Sequence, residues 1–87
     1  MKLLIVEDNR QMRELLKSIL TNLAETIYEC ADGSAALDSY RQHRPDCVLM
    51  DIKMDHVDGI DATRQIIDAF PTARIVISNP ERSRPHR

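Results

Sequence analysis

The chain has 87 residues, 43% hydrophobic and 30% charged, which describes one small globular domain and excludes the disordered and fibrous classes. Its formal net charge is −2, but residues 79–87 (NPERSRPHR) carry three arginines against one glutamate, leaving thirteen acidic and nine basic residues in 1–78. An acidic body excludes a nucleic-acid-binding domain, and no apolar run approaches the ~18 residues of a membrane span.

The first element in chain order is Leu3-Leu4-Ile5-Val6, a continuous apolar run that predicts a strand buried on both faces. Glu7 and Asp8 end it too early for a signal-peptide core, so a cytoplasmic protein is expected. Asn9 can cap a helix with Met12, Leu15, Leu16, Ile19, Leu20 and Leu23 on one face. Thr26–Cys30 alternates like a half-exposed strand, and Asp32-Gly33 breaks it. Ser34 opens a short helix with Ala36, Leu37 and Tyr40 on one side, stopped before Pro45.

Cys47-Val48-Leu49-Met50 reads as a second buried strand. Asp58-Gly59 precedes a third helix with Ile60, Thr63, Ile66, Ile67 and Phe70 inward, ended by Pro71. Ile75-Val76-Ile77 is a further buried run, and the apolar pattern stops after Ser78. Cys30 and Cys47 form no CxxC pair and read as small buried hydrophobes in a reducing compartment. Strands reached through helices make a parallel sheet with helices on its faces. The units found are fewer than a five-unit doubly wound domain needs.

Ligands in such sheets bind beyond the carboxyl ends of the strands. Glu7 and Asp8 follow the first strand, and Asp51 follows Met50 in the third. If those strands are neighbours, about 4.8 Å apart, the three carboxylates converge on one pocket. Close carboxylates repel one another, and a hard divalent ion such as Mg²⁺ is their natural neutraliser. It can also bridge a carboxylate to a phosphoryl group.

The segments LLIVEDNRQMRELL, ECADGSAAL, PDCVLMDIKM, DGIDATRQI and ARIVIS resemble, in this order, the receiver domain of two-component response regulators. The resemblance covers residues 2–78. It implies a flavodoxin-like α/β fold, a doubly wound parallel sheet shortened here to four strands in order 2-1-3-4 and three helices. Residues 1–78 would form the domain and 79–87 a basic, flexible tail. The resemblance further implies phosphorylation of Asp51 by a sensor histidine kinase. Glu7 and Asp8 match the acid pair that holds Mg²⁺ together with Asp51. Lys53 matches the position whose main-chain carbonyl completes the metal shell, and Ser78 matches the switch hydroxyl.

Two departures stand out. Asp55 occupies a position that is usually proline, and the phosphoryl-binding lysine after a fifth strand has no counterpart among Lys2, Lys17 and Lys53. Two other functions compete with the phosphoacceptor reading. One is a receiver-like module for self-association. The other is a metal-dependent hydrolase using the carboxylate pocket, although His43, His56 and His86 form no Ser-His-Asp arrangement and read as surface residues. Ile75–Ile77 forms an uncharged edge strand without proline, which predicts a homodimer or higher oligomer through that edge and the exposed sheet face.

Overall fold

The structure, a computed structural model, describes residues 1–52 and 58–78. Its elements are β1 (Lys2–Val6), α1 (Arg10–Leu20), β2 (Thr26–Cys30), α2 (Ala36–His43), β3 (Cys47–Asp51), α3 (Gly59–Ala69) and β4 (Ile75–Ser78). All strands pair in parallel, in the order β2-β1-β3-β4. This is the flavodoxin-like arrangement expected from the sequence. The two apolar strands that flank the centre line, β1 and β3, lie side by side.

Strand register assigns each side chain to a face. Leu3 pairs with Ile27 and Cys47, Ile5 with Leu49, and Leu49 with Val76, so these residues share one face of the pleated sheet. Leu4, Val6, Val48, Met50 and Ile75 occupy the other face. There Ala36 and Tyr40 of α2 and Ala62 and Ile66 of α3 close over them. On the first face, Leu16 and Leu20 of α1 pack against Leu3, Ile5 and Ala24. The run Leu3–Val6 is buried throughout, as its composition requires.

The helix ends follow local chemistry. The Asn9 side chain accepts from the Met12 N–H at 2.8 Å, capping α1, and the Asp58 side chain accepts from the Asp61 N–H at 2.9 Å, capping α3. Ser34 does not open an α-helix. Its N–H donates to the Asp32 carboxylate at 2.9 Å and starts a single 3₁₀ turn, Gly33–Ala35, that leads into α2. Arg44 ends α2 in the left-handed region at φ 46°, where its N–H donates to the Tyr40 carbonyl at 2.7 Å as a helix cap, and Pro45 follows it. Its guanidinium lies 4.3 Å over the Phe70 ring, tying the ends of α2 and α3 together. His43 is not a bare surface residue: its ring stacks on Tyr28 with centroids 3.8 Å apart.

The inward face expected for α1 is only partly inward. Leu15, Ile19 and Leu23 are 52%, 58% and 66% exposed, and Val76 on β4 is 54% exposed. Width is the reason. A helix about 10 Å across covers roughly two strands spaced about 4.8 Å apart, and α1 sits toward β2, where Arg13 and Lys17 reach Glu29. Its opposite flank therefore carries apolar side chains with no described element against them. In α3, Ile60, expected inward, is likewise exposed, and Ala62, which was not among the residues expected inward, is buried.

Candidate metal centre

The carboxyl ends of β1 and β3 lie together because Val6 pairs with Met50. Glu7 and Asp8 extend from one end, and Asp51 closes the other. One carboxylate oxygen from each of the three lies within 4.8 Å of the others. Glu7 and Asp51 are only 4% and 5% exposed, so two carboxyl groups are buried side by side. Solvated surface acids carry no such cost.

Every polar group of Glu7 is held. Its N–H donates to the Cys30 carbonyl at 2.9 Å, continuing the β1–β2 ladder by one residue. Its carboxylate accepts from the Asn9 N–H at 3.2 Å. Its carbonyl accepts from the Arg13 guanidinium at 2.8 Å.

Burial pushes the Glu7 carboxyl up to about 7. The Asn9 N–H works against this. The charge of Asp51, a hydrogen bond shared with Asp51, and the charge of Asp8 add to the upward shift. A proton on Glu7 thus does part of what a cation would do, holding the carboxyl groups together.

The donor set fits a small, hard divalent cation. All three groups offer carboxylate oxygens, and an ion such as Mg²⁺ takes one or two carboxylates and keeps several waters. The cationic side chains on α1 that face this side of the sheet, Arg13 and Lys17, both bond to Glu29. A bound cation would also leave Asp51 ionised, which is the state in which a carboxylate acts as a nucleophile.

Two further positions frame the site. Ser78 pairs in register with Asp51, and its carbonyl accepts from the Ile52 N–H at 3.0 Å. The switch position expected from the sequence thus lies beside Asp51 on the neighbouring strand. Gly59, the first residue of α3, donates its N–H to the Ile52 carbonyl at 2.8 Å. A Cβ there would come within 2.7 Å of Ile52 Cα and nearer still to the Asp51 carbonyl oxygen. Lys53, Asp55, His56 and the basic segment 79–87 lie outside the described residues.

Sequence reasoning brought Glu7, Asp8 and Asp51 together and missed Arg13 and Glu29. Their contact joins α1 to β2 across sixteen residues, and nothing in local spacing announces it.

Comparison with known proteins agrees with this geometry. The family model described as response regulator receiver domain matches residues 3–85. The chemotaxis protein CheY of Thermotoga maritima is 39% identical over 77 residues, covering 87% of this chain and 64% of that protein. The chain is also 39% identical over 77 residues to the protein-glutamate methylesterase/protein-glutamine glutaminase of Nitrosospira multiformis. That match covers 86% of this chain but 22% of the methylesterase. The CheX–CheY–BeF3–Mg complex from Borrelia burgdorferi superposes with a TM-score of 0.84 at 31% identity, covering 90% of this chain and 60% of that one. The chain thus spans less than two thirds of these relatives. With the sheet order, the acidic cluster and a family match over nearly its whole length, this chain belongs to the response regulator receiver family.

Proposed function

We propose that this receiver domain is the phosphoacceptor of a two-component relay, taking a phosphoryl group on Asp51 from a sensor histidine kinase. The convergence of Glu7, Asp8 and Asp51 at the carboxyl ends of adjacent strands carries this reading. An Asp51 oxygen attacks the phosphorus of a phosphohistidine. The P–N bond breaks, an acyl phosphate forms, and the imidazole, already protonated on its other ring nitrogen, leaves neutral. Glu7, Asp8, Asp51 and the main-chain carbonyl of Lys53 would hold Mg²⁺. When bound, that ion neutralises the carboxylates and the charge on the transferring phosphoryl oxygens. Ser78, in register with Asp51, is suited to donate its hydroxyl to a phosphoryl oxygen. The Borrelia burgdorferi relative, with its BeF3 and Mg, supports the assignment. Residues 1–78 form the receiver body and 79–87 a basic tail in this reading. A cytoplasmic setting suits its two free cysteines, Cys30 and Cys47.

The test is intact-mass measurement after incubation with acetyl phosphate and Mg²⁺. One phosphoryl group should be added to the parent and none to Asp51→Asn. Phosphate retained in that variant would place the acceptor elsewhere.

A second reading concerns association. Leu23 is exposed in the turn after α1, and Ile77 on the face of β4 opposite to α1. On the face that α1 covers, Leu15 and Ile19 of its flank and Val76 of the edge strand β4 expose apolar surface. A second copy of the chain, meeting this face about a two-fold axis, would cover both. Self-association through the β4 edge and the adjoining sheet face accompanies the phosphoacceptor role in this proposal.

A further inference from the structure

Arg13 contributes no atom to the carboxylate cluster, yet it grips the chain that carries two of its members. Its Nη1 donates to the Glu7 main-chain carbonyl at 2.8 Å, the first carbonyl beyond the end of β1. Its Nε donates to Glu29 Oε1 at 3.1 Å. The Arg13 side chain is only 16% exposed, and its bond to the Glu7 carbonyl is partly buried, while the bond to Glu29 lies nearer the surface. Glu29 in turn pairs in register with Ile5, which makes its carboxylate a fixed point on the sheet. The other Glu29 oxygen accepts from Lys17 Nζ at 2.8 Å. The two contacts hold the planar guanidinium in one orientation, braced against β2 and aimed at the turn after β1.

We infer that Arg13 is a positioning residue for the acidic centre, fixing the Glu7 carbonyl so that Glu7 and Asp8 present their carboxylates toward Asp51. Besides this bond, Glu7 is tied to Cys30 through its N–H and, through its side chain, to Asp51 and to Asn9, which is itself part of the turn. The Arg13 bond is the one that links the Glu7 carbonyl to the body of the domain, and a charge-assisted bond is the strong kind. Arg13 sits one helical turn after the Asn9 cap, its N–H donating to the Asn9 carbonyl at 2.9 Å. The start of α1 and the end of β1 are therefore locked as one unit. Lysine would not serve, because a single ammonium lacks the fork that reaches a carbonyl and a carboxylate in fixed directions.

Positioning and simple charge predict opposite results. If Arg13 acted only as a nearby positive charge, removing it would make the site more negative and tighten Mg²⁺ binding. If it braces the turn, removing it loosens the carboxylates and weakens binding. This inference rests on the reading that the cluster binds Mg²⁺, so the test has one arm that needs the metal and one that does not.

Calorimetric titration with Mg²⁺ should show Arg13→Ala weakened about 10-fold, the scale of losing a group that orients a metal ligand, and Lys17→Ala unchanged within about twofold. Lys17 shares Glu29 but does not touch the Glu7 carbonyl, so it controls for charge and for loss of the ion pair. Arg13→Lys should fall between parent and Arg13→Ala. In metal-free protein, amide exchange at Asp8 and Asn9 should quicken in Arg13→Ala while Leu4–Val6 stay protected. If Arg13→Ala does not fold, Glu29→Gln, which keeps an acceptor oxygen for Arg13 but loses its charge, should show the same changes in smaller measure. Tighter Mg²⁺ binding in Arg13→Ala, an equal loss in Lys17→Ala, or unchanged exchange at Asp8 and Asn9 would overturn the inference. A parent that binds no Mg²⁺ would remove the metal reading, and the exchange measurement would still decide the role of Arg13.

Discussion

Glu7 shows how a buried acid trades stability for function. Its carboxyl titrates at about 7 in the folded chain, mainly because burial penalises its charge, against an ordinary value of 4.5. Between those two values the folded protein holds a proton that the unfolded chain has released. The stabilisation this provides is complete below about pH 4.5 and is lost as pH rises through 7. Metal-free protein should therefore lose stability across that window, as thermal melts in a chelator would show. Glu7→Gln keeps the shape and removes the titration, so its melting temperature should be flatter with pH and above the parent's at pH 8. A parent with no stability loss across this window would mean that Glu7 is not buried against Asp51 as described. The acid cluster was legible in the sequence because Glu7, Asp8 and Asp51 each end an apolar run, and strand ends converge in a parallel sheet. The grip of Arg13 on the Glu7 carbonyl was not, because it depends on how α1 is rolled on the sheet.

At the level of elements, the joint between β3 and α3 is the tightest near the site. Gly59 lies against the backbone of Asp51 and Ile52, where no side chain has room. The obstacle is main chain at the end of a strand, which cannot rotate away. Gly59→Ala should therefore destabilise the domain by about 1–3 kcal/mol through overpacking, read from urea denaturation. It should also shift Asp51, seen as weaker Mg²⁺ binding in the fraction that folds. Asp58→Ala, next door, removes only a helix cap and should cost about 1 kcal/mol. A Gly59→Ala protein as stable as the parent would show that α3 docks differently. The sequence marked Asp58-Gly59 as the start of a helix, and that is where α3 begins. It could not show the clash, since the opposing atoms belong to another element. The same limit explains α1: periodicity named the residues that share its face but not how many strands lie beneath it.

For the whole molecule, the sheet's two faces are unequally covered. Helices α2 and α3 share one face, while α1 alone lies on the other among the described residues. The parallel sheet was readable from the alternation of apolar runs and helical faces, whereas the order of its strands came from the family resemblance alone. The exposed flank of α1 was not, because it follows from that unequal cover. Association through Leu15, Ile19 and Val76 should make the 87-residue chain sediment at twice its mass or more at micromolar concentration. Val76→Lys and Ile19→Asp should each restore the monomer, because a desolvated charge opposes burial. Ile60→Asp, on the exposed side of α3, should leave the assembly unchanged. A parent that stays monomeric would refute the association.

The central claim is that the carboxyl edge of this sheet is a cation site built from Glu7, Asp8 and Asp51 around a phosphoacceptor. Calorimetric titration with Mg²⁺ at pH 6 and pH 8, in buffers of different ionisation heat, tests it most directly. Binding should be saturable with one ion per chain and tighter at pH 8. It should release a proton near pH 7, since the ion displaces the one held by Glu7. Asp8→Asn should weaken it sharply. Absence of saturable binding in the parent, or binding indifferent to both pH and Asp8, would contradict the account.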